Sequence, residues 1–464
     1  GRVSRLDIAL GDNRRVVHHA VELTEGLHRE IDQALRAAGG GQVFDMDDAI
    51  GRAEEHASTV AHPKLWHPVD GLGVMWRYLL RPALEPTFER LSAWSAQGPC
   101  VVLANPLAMG ARVAQEKLGL PLMSVYTAPT LLRSVHPPLT LAQWSVPRWM
   151  PHWALQGAWH ALDRLKLQPL VKPALERLRQ AQGLAPIKGS VFGHWMHSPQ
   201  AGVALFPKWF AAAPPDWPGQ VVQTDFVRYS DGDTALPESL QLFLAQGDAP
   251  VVFMPGTARH HTDEFFAEAM QACAAMGLRG VFLGHLSQAL QARAAAQSAQ
   301  IWAGAYVPFA DVLPHARALV HHGGIGTSAQ ALHAGVPQLV VPCAYDQFDN
   351  ALRLQRLGVA QVLPSPGPGR LQTHLQSLLA DPGVVEACWR WAGQGSAQIV
   401  AVKEGEYPLH ITLAPGIQLP EDAHLFVFAV IPNGPPMPIA VKRIAGPHLP
   451  LTLSLGDGDA MMEG

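Results

Sequence analysis

Charge and cysteine are both scarce in this 464-residue chain, and long apolar runs are missing from it. Only 16% of residues are charged, the formal net charge is −4, and no Lys/Arg cluster is dense enough to grip a phosphate backbone. Those features argue against a nucleic-acid partner. The four cysteines, Cys100, Cys273, Cys343 and Cys388, lie far apart with no CxxC or metal-ligand spacing, so they read as buried thiols in a reducing compartment. No run approaches the ~20 apolar residues that span a bilayer. The chain opens on Gly1-Arg2-Val3-Ser4, with neither an initiator Met nor a signal-peptide h-region, and reads as a fragment. What is abundant is apolar residue: 48%, enough in a chain of this length for two or three ordered domains.

Three regions follow one another, at 1–232, 233–394 and 395–464. In the first, Cys100–Ala104 and Pro121–Tyr126 are short apolar runs flanking a helical stretch from Leu107 to Leu118, the spacing of a βαβ unit. Asp231-Gly232-Asp233 reads as a linker. Beyond it the alternation restarts, with strands predicted at Val251–Met254, Gly280–Leu283, Ala318–Val320 and Gln338–Val341, and a helix over Asp263–Met276. All-apolar strands with helices between them mean a sheet covered on both faces. From Gly395 the texture changes: Ile399–Val402, His410–Leu413, Leu425–Phe428, Ile439–Val441 and Leu451–Leu453 are strands separated by Pro- and Gly-rich turns, a small all-β module.

The central motif is His321-His322-Gly323-Gly324-Ile325-Gly326-Thr327-Ser328, placed between a strand and a helix. Glycines there let backbone N–H groups and the positive end of the helix dipole approach a diphosphate, and hydroxyls and a histidine add donors. Gly-Gly-x-Gly alone is equally often a plain turn, so its surroundings decide. Asp346-Gln347-Phe348-Asp349-Asn350 follows the next strand, where a carboxylate and an amide can hold sugar hydroxyls. Tyr306-Val307-Pro308 offers an aromatic face and a backbone edge for a base, and Pro255-Gly256-Thr257 a second phosphate-facing turn.

Together with Ala334-Gly335-Val336-Pro337-Gln338, Pro342 and Arg356-Leu357-Gly358, these segments resemble family 1 glycosyltransferases. The resemblance implies an α/β chain of GT-B fold, with two facing Rossmann-like domains: 1–232 to bind the acceptor, 233–394 to bind the nucleotide sugar, and the β module appended. It implies inverting hexosyl transfer from a nucleotide diphosphate sugar, without a metal at the phosphates and without a cofactor. Leu65-Trp66, Trp195–Gln200, Leu205-Phe206-Pro207, Trp209-Phe210-Ala211 and Asp216-Trp217-Pro218 are similar to rhamnolipid-type rhamnosyltransferases, over about residues 34–392. That subfamily resemblance implies a dTDP-rhamnose or UDP-hexose donor and a hydrophobic, lipid-like acceptor. It also implies the cytosol, with peripheral contact at the inner membrane. Carried over residue by residue, His321, Gly323, Gly324, Gly326, Thr327 and Ser328 would hold the diphosphate with Gly256 and Thr257. Tyr306 and Val307 would flank the nucleobase, and Asp346 and Gln347 would bind the sugar. Plant-type members place a ribose-binding Glu eight residues after the motif histidine; here that position is Ala329, with Gln330 beside it as a substitute.

An inverting transfer needs a general base, ideally a histidine. Family members carry it on a Gly-rich turn after the first strand. One reading takes Leu6–Asp12 as a degraded form of that turn, making Asp12, His18 and His19 the catalytic candidates; the competing reading takes residues 1 to about 33 as unrelated sequence with Val17-His18-His19 on an ordinary helix, the base missing and the chain a donor-binding pseudoenzyme or non-functional fusion. His136, with Thr130, is an acceptor-side candidate or an exposed loop residue. His194 and His197 read as interdomain packing, and His260-His261 as loop residues near the donor. Trp149, Trp153 and Trp159 recur at near-helical spacing, which reads as core; the alternative is a face for a lipid acceptor or membrane surface. The tail, through Leu425–Phe428, Asn433–Val441 and Leu449–Met462, resembles the β-domain of a c-type cytochrome maturation subunit. That resemblance implies the periplasm and hence a joined reading frame.

Overall fold

The computed structural model describes residues 15–19, 42–43, 62, 64–65, 70–98, 100–136, 140–141, 144–147, 149–230, 236–256, 262–304, 307–364, 367, 369–392, 396–400, 407–411, 424–429, 440–445 and 451–455. Two compact units are present; one covers 1–36 and 40–399, the other 37–39 and 400–464.

The first unit holds two six-stranded sheets. Strands β1 (Arg15–His19), β2 (Gln42–Val43), β3 (Cys100–Ala104), β4 (Leu122–Tyr126), β5 (Ala201–Ala204) and β6 (Val221–Gln223) lie in the order β2-β1-β3-β4-β5-β6. Every neighbouring pair in that sheet is parallel. The expected βαβ unit is there, with helix α1 (Met109–Leu118) between β3 and β4. The helical reading of Val17-His18-His19 is overturned. Those residues end β1, in register with Val102, Leu103 and Ala104, so His19 stands at the carboxyl edge of the sheet. Backbone pairing with β3 overrides the weak strand propensity of a segment carrying Arg and two histidines.

The second sheet is built from β7 (Val251–Met254), β8 (Gly280–Leu283), β9 (Ile301–Gly304), β10 (Ala318–His321), β11 (Gln338–Val340) and β12 (Ala360–Val362). Its order is β9-β8-β7-β10-β11-β12, again parallel throughout. Val252, Phe253, Val281, Phe282, Leu319 and Val320 are fully buried because helices cover both faces. In this order the direction of winding reverses between β7 and β10, and ligands bind at such a switch point, beyond the carboxyl ends of the strands. The glycine turns Gly256 and Gly323-Gly324 both follow those two strands.

Trp149 and Trp153 do not belong to the core: they are 80% and 76% exposed. Helix α2 (His152–Leu162) buries only Leu155 among its residues; Trp153 is on its solvent face and Trp159 is half-buried, its Nε1 donating to the Ser134 carbonyl at 3.3 Å. Trp195 and Met196 sit in the core of the first half, and His197 is buried there with Nδ1 2.9 Å from the Tyr126 hydroxyl. His194 is exposed. Neither histidine packs between the halves as expected, because the segment turns back onto the first sheet.

Cys100, Cys273 and Cys388 are buried thiols and Cys343 is half-buried, and none of the four is in a disulfide. No helix among the described residues is long and apolar enough to cross a membrane. Ser396–Val400, which the sequence reading places in the 395–464 module, pairs with Phe226–Ser230. In the second unit Tyr407–Ile411 pairs antiparallel with Leu451–Leu455, and His424–Ala429 with Ala440–Ala445. The linker at 231–233 lies outside the described residues.

Candidate donor site

At the switch point the backbone does what only glycine allows. Gly256, two residues past β7, has φ +89°, and Gly323, two past β10, has φ +92°. A Cβ on Gly323 would lie 2.8 Å from Val340 Cγ1 and 3.1 Å from the Gln347 carbonyl. Gly324 then opens helix α3 (Ile325–Ala334) in an extended conformation. The helix closes on Gly335, at φ 67°, with Val336 N–H donating to the Ala331 carbonyl at 3.0 Å.

The two adjacent histidines divide their work. His321 is wholly buried: Gly323 N–H donates to its Nδ1 at 3.2 Å, so the proton sits on Nε2, which donates to Gln338 Oε1 at 3.0 Å. Burial, with His322 adding to it, pushes its pKa down to about 3, and the ring is neutral. The expectation that His321 holds the diphosphate is therefore corrected. Both of its ring nitrogens are used inside the fold, and it shapes the glycine turn instead. His322 occupies the switch point. Its imidazole lies between the turns: a Cβ on Gly256 would be 2.7 Å from Nδ1, and one on Gly324 2.6 Å from Nε2. Sequence reasoning passed over this residue, although two glycines that approach a common point are the signal that something must fit between them.

Ser328 is likewise corrected. It is fully buried, and its hydroxyl donates to the Gly324 carbonyl at 2.8 Å, locking the first turn. Gly323 turns its N–H inward to His321, and its carbonyl accepts from Asn350 Nδ2 at 3.0 Å. Gly326 is exposed and Thr327 half-buried on the first turn of α3, leaving these two as its outward face, while Gly324 at its start is buried against the His322 ring. A helix N-terminus presenting bare backbone is an anion site. Val307 is buried in a cluster that includes Val252 and Leu319, so its side chain does not flank a base. Thr257, Tyr306, Asp12, His260 and His261 lie outside the described residues.

After β11 the chain turns through Cys343-Ala344-Tyr345 into helix α4 (Gln347–Arg356). Gln347 is buried, and its Oε1 accepts from the N–H groups of Cys343 and Ala344 at 2.8 and 3.1 Å. That carbonyl braces the turn, which leaves the amide nitrogen for any ligand. Asp346 is half-buried, its Oδ2 accepting from Asn350 Nδ2 at 2.8 Å. Asn350 thus ties the sugar-side turn to the phosphate-side turn.

The two halves meet beside this turn. Thr140 Oγ1 donates to Asp349 Oδ1 at 3.2 Å, Arg353 pairs with Asp349 Oδ2 at 2.6 Å, and Trp209 stacks on Trp391 at 4.9 Å. A cavity of about 360 Å³ lies there, lined by Thr130, His136, Trp159, Trp209, Asp349 and Arg353 among others. It brings together the two acceptor-side candidates read from sequence; the His136 ring also meets the His152 ring edge-on at 4.4 Å. A larger cavity, about 860 Å³, runs along edge strand β9 beside Phe243, Arg279 and Trp302, and takes in none of the candidate residues.

Residues 285–400 match the family described as Erythromycin biosynthesis protein CIII-like, C-terminal domain, and residues 408–464 match the Cytochrome c-type biogenesis protein H Ig-like domain. The chain is 31% identical over 191 residues to O-mycaminosyltylonolide 6-deoxyallosyltransferase of Streptomyces fradiae, covering 40% of this chain and 43% of that relative. It is 29% identical over 295 residues to Glycosyltransferase GtfC of Amycolatopsis orientalis, covering 63% and 69%. The chain thus spans less than half the length of the first of these relatives. Among solved structures it is similar to glycosyltransferase VinC in complex with dTDP, with a TM-score of 0.55 at 19% identity over 82% of this chain and 96% of that one. The fold is GT-B, two Rossmann-like α/β halves.

Proposed function

We propose that the chain is an inverting glycosyltransferase: it moves a hexose from a nucleotide diphosphate sugar, dTDP-rhamnose or a UDP-hexose, to a hydroxyl of a hydrophobic acceptor. The observation that carries this reading is the switch point itself. Gly256, His322 and the open first turn of α3 converge there, with Asp346 and Gln347 one strand away. In the proposed step the acceptor oxygen attacks the anomeric carbon, the bond to the diphosphate oxygen breaks, and the base takes the hydroxyl proton. The leaving diphosphate carries the developing negative charge, so its stabilisation lowers the barrier. Backbone N–H groups, the α3 dipole and His322 supply that stabilisation without a resident metal or cofactor. We assign donor binding to 233–394 and acceptor binding to 1–232, where the 360 Å³ cavity with Thr130 and His136 is of a size and aromatic character suited to an apolar ligand. The exposed Trp149 and Trp153 suit contact with lipid at a membrane surface. His19, at the carboxyl edge of β1, is the first candidate for the base and His18 the second.

Titration calorimetry with dTDP, UDP and their sugars tests donor binding, and a hydrolysis and transfer assay tests turnover. Binding by the whole chain, with turnover falling more than about a hundredfold in His19→Ala or His18→Ala at unchanged nucleotide affinity, supports the assignment. Absence of nucleotide binding refutes it. A second reading, nucleotide-sugar binding without transfer in a joined frame, is favoured by the separate family match of 408–464. Tight binding with no transfer to any hydrophobic alcohol tried would establish that reading.

A further inference from the structure

Tyr345 is the only non-glycine residue among those described with a positive φ, 51°. A bulky aromatic residue there is an outlier, and such strain persists only where surrounding contacts over-determine it. The contacts are with the other half of the molecule. Tyr345 Oη donates to the Leu65 carbonyl at 2.5 Å, and the ring packs against the first half's core. Gly71 makes room for this: a Cβ there would lie 2.3 Å from the Leu65 carbonyl oxygen and 3.2 Å from Tyr345 Oη. Burial pushes the phenol pKa up, so the hydroxyl stays a donor across the physiological range.

The strained residue stands immediately before the sugar-side carboxylate. Gln347 Oε1 closes the turn from the far side onto Cys343 and Ala344. Asn350 then links Asp346 to the Gly323 carbonyl. Resting on the donor site argued above, we propose that Tyr345 is a positioning residue. Its bond to Leu65 across the two halves holds the 343–350 turn in the form that presents Asp346 to the donor sugar, so apposition of the halves tightens the grip on the sugar and not on the nucleotide. The phosphate-side turn keeps its own braces, His321 to Gln338 and Ser328 to Gly324, which do not pass through Tyr345.

The test uses the whole chain and two variants acting from opposite sides of the contact. Tyr345→Phe removes the hydroxyl donor; Gly71→Ala displaces its acceptor. Calorimetry with UDP, dTDP, UDP-glucose and dTDP-glucose is paired with amide hydrogen exchange of residues 343–350 in the absence of ligand. Both variants are expected to weaken the sugar nucleotides about tenfold, the size of one lost hydrogen bond in a buried setting, and to leave the bare nucleotides within about twofold. Exchange in the turn should accelerate in both. Equal losses on nucleotide and sugar nucleotide, or unchanged sugar-nucleotide affinity, would overturn the proposal. If the wild-type chain binds no nucleotide, the donor reading falls by itself and the exchange decides: acceleration at 343–350 upholds the coupling between halves, and unchanged exchange refutes it.

Discussion

Gly326 offers a test in which stability and binding should move in opposite directions. It lies in the first turn of α3, exposed, without a positive φ, and a Cβ built on it meets nothing within 4 Å. Nothing in the fold therefore requires glycine at this position. Gly326→Ala should remove backbone entropy from the unfolded chain and gain about 0.5–1 kcal/mol, less if the first turn frays. In a half of this size that is about 2–4 °C on its melting transition at most. If a diphosphate seats on the bare first turn, however, the added methyl stands between the phosphate oxygens and the N–H groups they accept from. Losing one charge-assisted hydrogen bond costs about 1.5–3 kcal/mol, or roughly tenfold to a hundredfold in Kd. Differential scanning fluorimetry with and without UDP and dTDP reads both effects on one sample. The apo transition should rise while the ligand-induced shift shrinks, and calorimetry should give the weaker Kd directly. A variant that is stabilised yet binds nucleotide as tightly as the parent would show that no phosphate approaches this turn, and the diphosphate assignment would fail with it.

Acid should destabilise the first unit in a defined window. His321 and His197 have pKa values pushed down to about 3 and about 4, chiefly by burial, against about 6.5 in the unfolded chain. Above pH 6.5 neither state binds the protons. Below it the unfolded state takes up protons that the folded state refuses, so stability should fall by about 1.4 kcal/mol per pH unit for each histidine until the folded pKa is reached. Urea unfolding between pH 7 and pH 4 measures this, and His197→Gln should flatten the slope by about half. Asp346→Asn keeps the size of the side chain and an oxygen for Asn350, yet should weaken sugar nucleotides about tenfold and bare nucleotides little; parallel titrations of both ligands decide it. Thr130→Trp, an exposed position on the 360 Å³ cavity, should slow transfer to a hydrophobic acceptor at least about tenfold and leave nucleotide affinity intact, which a rate assay paired with calorimetry resolves.

The parts of this molecule that could be read in its sequence are those where one residue class does one job. Val251–Met254, Gly280–Leu283 and Ala318–Val320 are apolar on both faces, and only a covered parallel strand wants that. The βαβ unit around Met109–Leu118 needed only its spacing. The tryptophans show the opposite case. A period near that of a helix fixes that Trp149 and Trp153 share a face, but period alone does not say whether that face is the buried one. In α2 the packing stripe runs through Leu155, Trp153 faces solvent and Trp159 is half-buried, while Trp149, just before the helix, is exposed. Arg15–His19 carries no apolar alternation strong enough to announce a strand, and its assignment comes from the pairing with Cys100–Ala104, about 85 residues away in sequence.

The double histidine shows why a motif can be placed correctly between a strand and a helix and its two side chains still be told apart only by the structure. His321 and His322 are neighbours at the end of β10, and successive residues of a strand point to opposite faces. In a strand buried on both faces, apolar pattern carries no information about which parity looks toward the ligand. The discriminating contacts come from elsewhere. Gln338, on the adjacent strand, takes His321 into the sheet, while Gly256 and Gly324 leave room for the ring of His322. Moving the motif's reference point by one residue also changes what lies eight positions on. From His321 that position is Ala329, which is buried and apolar; from His322 it is Gln330, half-buried on α3 and able to accept from a ribose hydroxyl. Counting from the histidine that faces the core therefore lands on a buried apolar side chain, and counting from the one between the glycine turns lands on a half-buried polar one.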